Sequence, residues 1–150
     1  MIQIGIIGAG VIGTKRAESI AVFPEKCNLS AVCDIDLEKA RKLAARNGVD
    51  VYDDWNELLT GDDIDAVVIA TPNKYLKEIT LAALLKRRHV LCEKPLGRSA
   101  EEALQLYSTA QEVGKILKTG FNHRHHTAIL RAKSLVERGE IGAVYFLKCT

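Results

Sequence analysis

Apolar and polar positions follow two rhythms along this chain. Short runs that are apolar at nearly every position recur at Ile2 to Ile7, Leu29 to Cys33, Ala66 to Ala70, His89 to Cys92 and Ile116 to Phe121. Each is too short for a core helix and predicts a strand. Between them lie longer stretches whose apolar residues share one helical face, as in Ala103, Tyr107 and Ala110, or Ile129, Ala132 and Val136. Strand and helix taking turns in this way predict an α/β protein with a parallel sheet. Ala66 to Ala70 offers no polar face at all, so both of its faces need cover, as in a doubly wound sheet with helices on both sides.

The ends of the helices carry their own chemistry. Ser99 stands three residues before Glu102 and Asp54 three before Glu57, the spacing of a capping box. Gly48, Gly114 and Gly139 fall where left-handed caps close helices. No internal repeat, linker or low-complexity tract interrupts the pattern. One run fits less well. After Gly139, Val144 to Thr150 reads as a further aromatic-rich strand, and a lone strand lacks partners. It is expected to pack on the domain's edge, to pair with a second copy, or to open a further domain.

The first strand runs directly into Gly8-Ala9-Gly10-Val11-Ile12-Gly13, and Val11 to Val22 has a helical pattern. A G-x-G-x-x-G between strand and helix predicts a Rossmann-type doubly wound sheet and a dinucleotide phosphate site. Gly8 would permit the tight turn, Gly10 the approach of a pyrophosphate to the backbone, and Gly13 close helix packing. The amides of Val11 and Ile12 at the helix start would then face the phosphates. The same glycines also suit a plain turn. Asp34 weighs against that, because it ends the second strand about 20 residues on, where a carboxylate accepts hydrogen bonds from the adenine ribose. An acid there disfavours a 2′-phosphate, so NAD is expected rather than NADP.

Composition narrows the partners. With 150 residues, 47% of them hydrophobic and 27% charged, the chain has the balance of a soluble globular domain. A net charge of +2, without basic blocks, gives no reason to expect nucleic acid or a membrane surface. Cys27, Cys33, Cys92 and Cys149 form no C-x-x-C pair and are expected to be reduced and mostly buried. Met1 leads straight into the first strand without the features of a signal peptide, so the cytoplasm is the expected compartment.

Three further motifs, taken with the glycine turn, resemble the Gfo/Idh/MocA family of sugar, inositol and related dehydrogenases. They are Ala70-Thr71-Pro72-Asn73, His89 to Leu96 with its Glu93-Lys94-Pro95, and Gly120-Phe121-Asn122-His123-Arg124. The resemblance implies that Thr71, Pro72 and Asn73 lie beside the nicotinamide ribose. It makes Lys94 the active-site lysine, assigns Glu93, Asn122 and Arg124 to the cofactor or substrate, and implies a cis bond before Pro95. Family members usually carry His where this chain has Leu76. The His-rich stretch from His123 to His126 lacks companion ligands, so no metal site is expected.

On this resemblance, residues 1–121 form the NAD(P)-binding domain. Residues 122–150 hold a crossover helix and the first strand of a substrate domain that is otherwise absent. The leading expectation is the NAD-binding part of an oxidoreductase acting on a sugar, inositol or polyol hydroxyl, inactive without the missing domain. Two alternatives stay open: a free-standing NAD-binding or sensing module without catalysis, and an NAD-dependent glycoside hydrolase of the same superfamily. A methyltransferase would leave Glu93-Lys94-Pro95 without a purpose. The exposed last strand also predicts a homo-oligomer.

Overall fold

The computed structural model describes residues 1–148, which divide into two compact units after Gly120. In the first unit six strands form one sheet: β1 (Ile2–Ile7), β2 (Cys27–Cys33), β3 (Asp50–Tyr52), β4 (Ala66–Ile69), β5 (His89–Cys92) and β6 (Leu117–Thr119). Every pairing is parallel and the order is β3-β2-β1-β4-β5-β6. Five helices alternate with them: α1 (Val11–Ala21), α2 (Leu37–Ala45), α3 (Trp55–Thr60), α4 (Asn73–Leu85) and α5 (Ala100–Glu112).

Successive strand residues point to opposite faces, and the core splits accordingly. Ile6, Val32 and Val68 pack with Ala17 and Ile20 of α1 and Ala40 and Leu43 of α2. Ile7, Val67 and Ile69 pack with Leu58 of α3, Ile79 and Leu84 of α4 and Ala110 of α5. Helices therefore cover both faces, as the absence of a polar face on β4 requires.

The expected strands are present with altered ends. β2 begins two residues early because Cys27 and Asn28 pair with Ile2 and Gln3 of β1. β4 stops at Ile69, and β6 shrinks from 116–121 to Leu117–Thr119, since this edge strand pairs only with Val90 to Cys92. β3 was not expected: Asp50-Val51-Tyr52 is too short to show a period, and pairing with Ala31 to Cys33 makes it a strand. The Ser99 hydroxyl accepts the Glu102 amide at 3.2 Å, but the Glu102 carboxylate accepts the amide of Arg98, one residue outside the box. Asp54 likewise accepts from Asn56 rather than Glu57. Gly48, Gly114 and Gly139 do adopt positive φ.

The second unit contains a 3-10 turn (Asn122–His125) and α6 (Thr127–Glu137). The expected strand from Val144 is not formed over residues 144–148, and its last two residues, Cys149 and Thr150, lie outside the described residues. Backbone groups become a strand only by pairing, and among the described residues no strand is paired with 144–148. Among the described residues no helix is long and apolar enough to cross a membrane.

Cys33 and Cys92 are buried free thiols and Cys27 is half-buried. Burial, followed by the charge of Asp34, pushes the Cys33 thiol up from 9.0 to about 12. The unfolded chain releases this proton near pH 9 while the folded chain keeps it. The stability that Cys33 contributes is therefore complete below pH 9 and is lost as pH rises toward 12. Urea unfolding of C33A across that window should show a shallower alkaline decline than the parent; equal slopes would contradict this cause.

Candidate functional site

The strand order reverses between β1 and β4, and a ligand crevice is expected outside the carboxyl ends of strands at such a switch point. A cavity of about 730 Å³ lies there. Gly8, Gly10, Val11 and Ile12 bring the glycine turn to it, Asp34 the end of β2, and Thr71 and Pro72 the end of β4.

Each glycine of the turn meets a different constraint. Gly8 has φ of +103°, and a Cβ there would stand 2.6 Å from the Ala70 carbonyl oxygen. At Gly13 a Cβ would come within 1.9 Å of the Gly8 carbonyl oxygen. At Gly10 a Cβ would meet nothing within 4 Å, so its absence leaves open space at the mouth of α1. No side chain caps that helix, whose first-turn bond runs from the Thr14 amide to the Gly10 carbonyl at 2.9 Å. The amides of Val11 and Ile12 come ahead of it and are left to an outside acceptor. The first turn itself carries no acid, so the helix start keeps its partial positive charge toward the cavity, with Asp34 beside it at the Ala9 amide.

Asp34 does two things. Its Oδ2 accepts the Ala9 amide at 2.7 Å and its Oδ1 the Asp36 amide at 2.9 Å. The carboxylate thus pins the glycine turn to the end of β2. A carboxylate has about four acceptor positions, so two remain for ribose hydroxyls. Across the cavity, Thr71 Oγ1 is buried with no hydrogen-bond partner in the protein. A buried hydroxyl costs free energy unless it is paired, so this one suits a polar ligand atom. Open space at Gly10, spare acceptors on Asp34 and the unpaired Thr71 hydroxyl together fit a dinucleotide.

Other wall residues carried no sequence signal. Ile35 is 87% exposed and, with Trp55, Tyr75 and Ile79, adds apolar surface to the cavity. Lys39 lines the same wall, with its Nζ 2.8 Å from Asp36 Oδ2. That contact, above all its hydrogen bond, holds the Asp36 carboxyl below its ordinary value and raises Lys39. Leu76, by contrast, is 1% exposed in the core. A side chain in that position packs under the sheet.

The remaining candidates lie elsewhere. Gly13 and Asn73 do not line the cavity, and neither do Glu93 and Lys94. Glu93 is buried and hydrogen-bonds Arg16 of α1, with Arg16 Nε 2.9 Å from Glu93 Oε1 and Nη2 on the same oxygen. Lys94 follows it, exposed, and the Lys94-Pro95 bond is cis as the resemblance implied. Asn122 and Arg124 belong to the 3-10 turn of the second unit, where Arg124 stands over the Phe121 ring at 5.9 Å. Among the described residues no cluster of His, Cys, Asp or Glu is placed to hold a metal. A second cavity, about 560 Å³, opens among Asp50, Asp62, Asp63 and Asp65, whose charges would repel phosphates.

The strand order with a glycine turn and an acid at its switch point defines a dinucleotide-binding domain of Rossmann type. The chain belongs to the Gfo/Idh/MocA family, whose model, an oxidoreductase family with an NAD-binding Rossmann fold, matches residues 2–121. It is 34% identical over 143 residues to an inositol 2-dehydrogenase of Rubrobacter xylanophilus, covering 95% of this chain and 41% of that protein. It is also 34% identical to a D-glucoside 3-dehydrogenase of Escherichia coli, covering 96% and 41%. The scyllo-inositol dehydrogenase of Lactobacillus casei, solved with NAD(H) and scyllo-inositol, superposes with a TM-score of 0.87 at 29% identity, covering 95% and 42%. The chain thus spans less than half the length of the curated relatives it matches.

The contrast between two glycines provides a test. G13A is expected to lose about 2 kcal/mol or more of stability, because its methyl meets backbone. G10A should lose less than about 1 kcal/mol yet weaken NADH binding about tenfold or more. Chemical denaturation and NADH fluorescence separate the two effects, and a G10A variant with parental affinity would contradict the phosphate placement.

Proposed function

We propose that this chain is the cofactor-binding part of a dehydrogenase that moves hydride between NAD and a hydroxyl-bearing carbon of a sugar, inositol or related polyol. The convergence of the glycine turn, Asp34 and Thr71 on one switch-point cavity carries the reading. Similarity to inositol and glucoside dehydrogenases supports the polyol class. In this reading residues 1–121 hold the dinucleotide, while the relatives' greater length supplies most of the substrate pocket. The chain alone then turns over little. It works in the cytoplasm and self-associates through Tyr145, Phe146 and Leu147, whose side chains are exposed.

Bound NAD would supply the hydride acceptor. Val11 and Ile12 would hold its pyrophosphate, Asp34 its adenine ribose, and Thr71, Pro72 and Asn73 its nicotinamide ribose, with Asn122 and Arg124 serving cofactor or substrate. Lys94 would hydrogen-bond the substrate hydroxyl. As hydride leaves the carbon, the lysine Nζ stabilises the oxygen and manages its proton. Preference for NAD follows from charge. A 2′-phosphate would face the Asp34 carboxylate, and Lys39 in the same wall is already engaged by Asp36.

Titration with both reduced cofactors should show NADH binding about tenfold or more tightly than NADPH, with the gap narrowed in D34S. Equal affinities in the parent chain would defeat the assignment. Any polyol turnover should fall about a hundredfold or more in K94A, with NADH affinity kept. Unchanged turnover in that variant would remove Lys94 from the chemistry.

A further inference from the structure

Glu93 and Lys94 are adjacent in sequence and opposite in charge, yet they are not a pair. Glu93 is given to Arg16, one turn into α1, and the side chains of that pair are 17% and 8% exposed for Arg16 and Glu93 respectively. Two guanidinium nitrogens converge on Glu93 Oε1. The carboxylate is confined from the other side as well, because a Cβ at Gly120 would stand 2.7 Å from Oε2 and 2.8 Å from Oε1. Lys94 is exposed and takes part in none of the ion pairs among the described residues.

We propose that Arg16 is a positioning residue for the reaction: by committing the Glu93 carboxylate, it keeps the neighbouring Lys94 amine uncommitted and available to substrate. The proposal rests on the reading of Lys94 as the group that meets the substrate hydroxyl. Its physical basis is competition between two cations for one buried carboxylate. Arg16 wins because its planar fork offers more than one donor and its charge arrives on a packed helix, whereas lysine would present a single ammonium on a flexible stem. Without Arg16 the carboxylate would stay buried and unsatisfied, and Lys94 would be the cation next to it in the chain. An amine held in that way is a poorer hydrogen-bond partner and proton carrier for anything else.

The same pair joins the two ends of the site. Arg16 sits on the helix that begins at the glycine turn, and Glu93 follows β5 directly and precedes Lys94. The helix whose amides face the cofactor phosphates therefore also arranges the charge beside the catalytic lysine.

The experiment measures the acetylation rate of Lys94 by limiting acetic anhydride at pH 8 in the whole chain, by peptide mass spectrometry, with half-buried Lys115 as the internal reference. R16Q is expected to slow Lys94 about tenfold relative to Lys115, since a freed carboxylate favours the ammonium form. R16Q/E93Q, which removes both charges, should return the rate to within about twofold of the parent. No slowing in R16Q would overturn the proposal, and so would slowing that persists in the double variant. If R16Q does not fold, the double variant decides by itself. A parental rate supports commitment of Glu93 to Arg16, and a rate about tenfold faster means that Glu93 was already holding Lys94. Failure of the functional reading looks different, because K94A would then leave turnover unchanged while the acetylation pattern stood.

Discussion

The site depends on how closely α1 approaches the strand that precedes it. The Gly8 carbonyl oxygen occupies the space where a Gly13 side chain would begin, 1.9 Å from the point a Cβ would take, and Gly8 itself turns against the Ala70 carbonyl. Because neither residue has a Cβ, the helix starts directly above the carboxyl ends of β1 and β4. Its unfilled amides therefore open at the strand-order reversal rather than beside it. The cavity, the unfilled amides at the start of α1 and the position of Arg16 all follow from that approach.

Charge completes what the backbone begins. One carboxylate, Asp34, ties the glycine turn to β2 through the Ala9 amide and keeps further acceptor positions at the cavity. Another, Glu93, ties α1 to the end of β5 through Arg16. Both acids stand at strand ends, where the sheet stops supplying backbone partners and side chains must take over. Such fixed charges need no rearrangement when a ligand arrives, which is the condition for electrostatic stabilisation at low cost.

Much of this was legible in the residues. Strands β1, β4 and β5 are apolar at nearly every position, so their runs stand out, and the glycine turn and Asp34 carry fixed spacing. What escaped is set by contacts distant in sequence. β3 owes its existence to pairing with β2, and Arg16 meets Glu93 across 77 residues, so no local pattern announces either. Ile35 enters the cavity wall from the segment between β2 and α2, and Trp55 and Tyr75 from the first turns of α3 and α4, three elements brought together only by the fold. The run from Val144 shows the converse: its apolar, aromatic character favours a strand, but a strand is a property of a pair, and among the described residues this run has no partner strand.

The most direct measurement is a titration of the ¹⁵N-labelled chain with NAD, followed by amide chemical shifts. Saturable changes are expected to be largest at Ala9, Val11 and Ile12 and at Thr71, around the open space left by Gly10. Changes centred instead on Asp50 and Asp62 to Asp65, or a glycine turn unmoved at saturation, would contradict the placement of the dinucleotide at the start of α1.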